Sequence, residues 1–90
     1  MSDNKNFVLN TAMDLRHNGS TMQATMLVPL MNSKGFRTSY GGEYRPGRGI
    51  FTLIRATWKD LKSQGLHQEA SAVAQSFLAK NGKPAWEERV

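Results

Sequence analysis

Glycine punctuates this chain where its apolar periodicity runs out. Asn18-Gly19, Lys34-Gly35-Phe36, Gly65-Leu66 and Asn81-Gly82 each follow a stretch with apolar residues at helical spacing. Glycine readily takes the left-handed conformation that ends a helix. The stops therefore predict a mainly α fold of about four short helices.

The first pattern covers about residues 4–17, with Phe7, Val8, Leu9, Ala12, Met13 and Leu15 on its apolar side. The second opens on Ser20-Thr-Met-Gln23, where a hydroxyl and an amide three residues apart are spaced as a capping box. It continues through Ala24, Met26, Leu27, Val28, Leu30 and Met31 to Gly35. Pro29 interrupts it, because proline lacks the N–H and clashes with the carbonyl four residues back, at Thr25. A kink, or a break near Val28, is expected. The third pattern begins after Gly49 and runs to about Gln64, with Ile50, Phe51, Leu53, Ile54, Thr57, Trp58 and Leu61 on one broad face. The fourth spans about residues 67–80 and sets Leu66, Ala70, Val73, Ala74, Phe77 and Leu78 on one side.

Ninety residues without an internal repeat suit a single domain. Residues 1–82 are read as that compact helical domain and 83–90 as a short C-terminal tail, with Trp86 folding back onto it. The chain has no cysteine, so neither disulfides nor thiolate metal sites hold it together. The N-terminus lacks an apolar signal core, and no apolar run approaches the roughly 20 residues of a membrane span. We expect a soluble, cytoplasmic protein without membrane partners.

Between the second and third patterns lies Thr38-Ser-Tyr-Gly-Gly-Glu-Tyr-Arg-Pro-Gly-Arg-Gly-Ile-Phe51, with four glycines, two tyrosines and two arginines. Gly41-Gly42 between β-tolerant residues is a candidate two-residue hairpin turn, which would set Ser39 opposite Tyr44 and Thr38 opposite Arg45. The segment is thus expected to be a small β-hairpin or a loop. Pro46 keeps Arg45 extended, and Gly47 and Gly49 let the backbone bend into the third helix. These glycines either solve a connection problem or clear side chains from a surface that phosphates approach.

Charge concentrates here. The chain carries a net +5, and residues 36–65 alone contribute +4, with six cations against Glu43 and Asp60. On the third helix Arg48, Thr52, Arg55, Lys59 and Lys62 recur at spacings of four, three, four and three, a stripe opposite the apolar face. Arg37 and Arg45 precede it, and Tyr40 and Tyr44 stand ready to stack on bases or to cap the edge of the core. Such an array attracts phosphates through charge and counterion release. It also fits the polar face that any amphipathic helix needs.

The order of elements resembles the broad helix-turn-helix and winged-helix class, in which one helix is presented to the major groove. The segment before the third helix is, however, far longer than a three- to four-residue turn, and a wing normally follows the recognition helix. Catalysis finds no support. His17 and His67 stand at helix boundaries with no nucleophile or acid-base partner at a suggestive spacing, and no ligand cluster implies a metal or other cofactor. Glu87-Glu88 lies in the tail. The glycines match neither a P-loop nor a dinucleotide fingerprint.

The expectation is therefore a non-enzymatic, regulatory nucleic-acid-binding protein. Duplex DNA is favoured over RNA, because a basic helix fits a major groove that A-form RNA hides from side chains. The competing class is a protein-interaction module, docking its basic face on an acidic protein or its methionines, Met13, Met22, Met26 and Met31, on a partner. A homodimer built on those methionines would also suit half-site recognition.

Overall fold

In the computed structural model, which describes residues 1–84, the first helix starts where a serine can cap it. The Ser2 hydroxyl accepts the Lys5 N–H, and α1 (Asp3–His17) follows. The chain then passes through β1 (Met22–Gln23), a single 3₁₀ turn (Ala24–Met26), α2 (Leu27–Ser33), a long loop, α3 (Arg48–Ser63), α4 (His67–Ser76) and β2 (Phe77–Leu78). The fold is mainly helical, with one small two-stranded parallel sheet.

Three helices end at their expected glycines, each with the same paired bonds. Gly19 and Ser20 donate to Arg16 and Leu15, Gly35 and Phe36 to Asn32 and Met31, and Gly65 and Leu66 to Lys62 and Leu61. All three glycines have positive φ, so the left-handed ends expected at them form, each with Schellman geometry.

α1, α3 and α4 pack on one another around a single core. Val8 and Ala12 meet Ile50, Ile54 and Leu61 of α3, Ala70 and Val73 of α4, Leu27 and Met31 of α2, and Phe77, all fully buried. Each large side chain withdrawn from water this way contributes on the order of 1.5–3 kcal/mol. Phe7 and Phe36 pack their rings 5.0 Å apart at the core's edge and hold the end of α2 against α1.

The second helix departs from expectation. No capping box forms, and the Ser20 hydroxyl instead donates to the Asn18 carbonyl at 3.5 Å. Met22 and Gln23 are extended and pair with Phe77 and Leu78. A parallel pair joins segments far apart in sequence, so local periodicity carries no sign of it. The break falls just before Val28, as Pro29 implied. Because α2 begins at Leu27, Pro29 occupies its first turn, where the missing N–H has no intrahelical acceptor to lose.

The same pairing shortens the fourth helix. Phe77 is extended, with φ −109° and ψ 123°, so α4 stops at Ser76 instead of near Lys80. The chain then turns back: Ala79 N–H donates to the Lys83 carbonyl at 2.8 Å, and Pro84 bridges to Leu78. Lys83 and Pro84 therefore begin by folding onto β2. Trp86 and Glu87-Glu88 lie outside the described residues.

Residues 36–47 form no strands, so the hairpin alternative is replaced by a loop. Its tip is a turn closed by the Thr38 N–H on the Gly42 carbonyl at 2.8 Å and the Gly41 N–H on the Thr38 carbonyl at 2.9 Å. The expected partners of Ser39 and Thr38 are drawn elsewhere, because Tyr44 is pulled into the core. This loop separates α2 from α3, whereas α3 and α4 are joined only by Gln64-Gly65-Leu66. Among the described residues no helix is long and apolar enough to cross a membrane.

Candidate nucleic-acid interface

Gly47 sets the start of α3. Its φ of 119° and ψ of −137° lie in a region closed to other residues, and they swing the chain from the loop into the helix. Gly49 differs: it sits inside the first turn, and a Cβ there would meet nothing within 4 Å. Connection therefore requires Gly47 and not Gly49.

At about 100° per residue, Arg48, Thr52, Arg55, Lys59 and Lys62 fall within an arc of about 80°. Ile50, Ile54, Thr57 and Leu61 occupy the opposite, buried face. Arg48, Thr52, Arg55 and Lys59 are exposed, and Arg48, Arg55 and Lys59 make no hydrogen bond or ion pair among the described residues. Lys62 is half-buried, with its ammonium 5.3 Å from the centre of the Trp58 ring. That contact holds the cation at the C-terminal end of the row.

Asp60 is the one acid on this helix, and Lys5 of α1 pairs with it at 2.6 Å. A partly exposed pair adds little to stability. Its effect on the site is to offset the negative charge that Asp60 brings to this helix.

The loop divides its expected contacts into two kinds. Tyr44 is 7% exposed. Its N–H donates to Asn32 Oδ1 and its carbonyl accepts from Asn32 Nδ2, both at 2.9 Å, while its hydroxyl accepts from Asn4 Nδ2 at 2.6 Å. Asn4 Nδ2 also donates to the Arg37 carbonyl at 2.7 Å, and the Arg37 guanidinium donates to the carbonyls of Asn32 and Phe36. Tyr44 is thus an anchor, and Arg37 is held close to the loop it sits on. Tyr40 is 99% exposed and Arg45 is exposed. Tyr40 is the loop's ring open to a partner.

A groove of about 710 Å³ opens between the N-terminal half of α3, the start of α1 and the loop. Leu53, Ala56 and Tyr44 line it beside Lys5, Arg37 and Arg48, with Tyr40 at the loop tip. Arg48 and Thr52 belong to the stripe and to this groove, which brings the helix and loop contacts to one continuous surface. Lys59 and Lys62 lie farther along the stripe. Sequence reasoning missed Asn4, Lys5 and Asn32. Asn4 and Lys5 reach their partners across 40 and 55 residues, a distance at which no local pattern operates.

Among the described residues no group of three histidines, aspartates or glutamates converges to hold a metal. No protein family, curated protein or solved structure matches this chain. Function therefore has to be argued from the site, since a fold alone would not supply it.

Proposed function

We propose that this chain is a non-enzymatic, regulatory nucleic-acid-binding protein that lays α3 against the phosphates of duplex DNA. The observation that carries the reading is the row of Arg48, Arg55 and Lys59, exposed and without protein partners among the described residues, beside an Asp60 already paired with Lys5. A solubilising face would gain from acids interspersed with its bases. This one has its single acid turned to a neighbour.

α3 spans roughly 24 Å at 1.5 Å per residue, and the major groove of B-DNA admits such a helix. On this reading α3 plays the part that one outward-facing helix plays in helix-turn-helix proteins. The short connection in this chain runs from α3 to α4, and α4 contains no lysine or arginine and buries five of its ten residues. α3 is therefore the helix that meets the nucleic acid, with Arg45 reaching the backbone beside its start.

The test reverses the charge in the middle of the row. Arg55→Glu with Lys59→Glu should abolish duplex binding in fluorescence anisotropy and leave the helical circular dichroism and melting temperature nearly unchanged, because both sites are exposed. Unchanged affinity would refute the interface, and unfolding would make the stripe structural. A protein that binds neither DNA nor RNA at low salt would return the basic face to an acidic protein partner.

A further inference from the structure

The groove beside the stripe has features that a duplex backbone does not use. Its floor is apolar, formed by Leu53 and Ala56 of α3 and the ring of Tyr44. Its cations, Lys5, Arg37 and Arg48, come from three different parts of the chain, and no carboxylate is among the lining residues. Tyr40 stands at the loop tip with 99% of its surface in water and no hydrogen bond among the described residues. A ring placed so gains nothing for the fold, since its burial contributes no stability.

The volume, about 710 Å³, falls within the roughly 300–1,000 Å³ of pockets that enclose drug-sized ligands. The ligand that complements it carries a flat apolar face for the floor and ring, together with negative charge for the rim. A base within a duplex is already stacked on both sides and cannot meet Tyr40. An unpaired one can.

We propose that the groove takes an unpaired segment of nucleic acid, with a base stacked on Tyr40 and its phosphates on Arg37 and Arg48. Single-strand binding elsewhere combines a basic track with aromatic platforms in this way. The groove shares Arg48 and Thr52 with the stripe, so a strand leaving a duplex end on α3 enters it without a gap. The inference rests on the nucleic-acid reading of α3 for the class of partner and goes beyond it in naming a junction, a duplex with a single-stranded extension, as the preferred form.

The experiment compares a labelled blunt duplex, the same duplex with a single-stranded extension, and the free single strand, by anisotropy at one salt concentration. The extension should raise wild-type affinity by roughly tenfold, the scale of one base stacked on an aromatic ring. Tyr40→Ala should remove that gain, so that the variant binds extended and blunt duplexes equally, and Tyr40→Phe should keep it. Tyr40 is fully exposed, so both variants fold as the wild type does. Equal affinity for blunt and extended duplexes, or a gain that survives Tyr40→Ala, would overturn the groove's assignment and leave the stripe standing. Binding of the extended duplex and the single strand, but not of the blunt duplex, would keep the groove and remove the stripe's duplex role.

Discussion

Asn32 does for Tyr44 what a neighbouring strand would do, exchanging two hydrogen bonds with its backbone from one side-chain amide. Removing that amide leaves a partly buried N–H and carbonyl without partners, and such groups are costly to strand. Asn32→Ala should therefore destabilise the fold by roughly 1–3 kcal/mol. Thermal unfolding followed by circular dichroism should show it as a drop of about 4–8 °C per kcal/mol. Tyr40→Ala, four residues from Tyr44, should stay within about 0.5 kcal/mol of wild type. The two tyrosines look alike in the sequence, each beside glycine or arginine in one loop. What separates them is Asn4 and Asn32, whose reach across the fold no residue spacing discloses.

Helix α3 was the most legible element, because its apolar and basic residues repeat in register with the helical turn over its whole length. The glycine stops were legible for a similar reason, since a helix end is a local event. β1 and β2 were not, because two residues of strand owe their conformation to a partner from the other end of the chain. The two glycines at the start of α3 now make opposite predictions. Gly47→Ala forces a Cβ into a glycine-only conformation and should cost on the order of 1–3 kcal/mol. Gly49→Ala lies in a helix with open space around it and should stabilise by roughly 0.4–1 kcal/mol. Chemical denaturation of both variants checks the pair. If Gly49→Ala proves more stable and yet binds DNA less well, Gly49 serves the close approach of a backbone.

At the scale of the molecule, Phe77 ties the two ends of the fold. It is fully buried in the core and pairs with Met22, so one residue joins the end of α4 to the segment that leads into α2. Phe77→Ala should cost roughly 3–5 kcal/mol, a large share of the 5–15 kcal/mol typical of a domain. Its unfolding transition should shift strongly while remaining cooperative. Two of the cations in residues 36–65, Arg37 of the loop and Arg48 of α3, line one groove. The four methionines divide between core and surface: Met31 is buried, Met22 packs on the core, and Met13 and Met26 are 38% and 55% exposed. The proposed contact of α3 with phosphates uses about four cations, and the salt dependence of duplex DNA binding tests it most directly. A plot of log affinity against log salt should be linear with a slope of about −3 to −4, as expected for roughly four phosphates neutralised. Absence of binding at low salt, or a slope near zero, would contradict the claim.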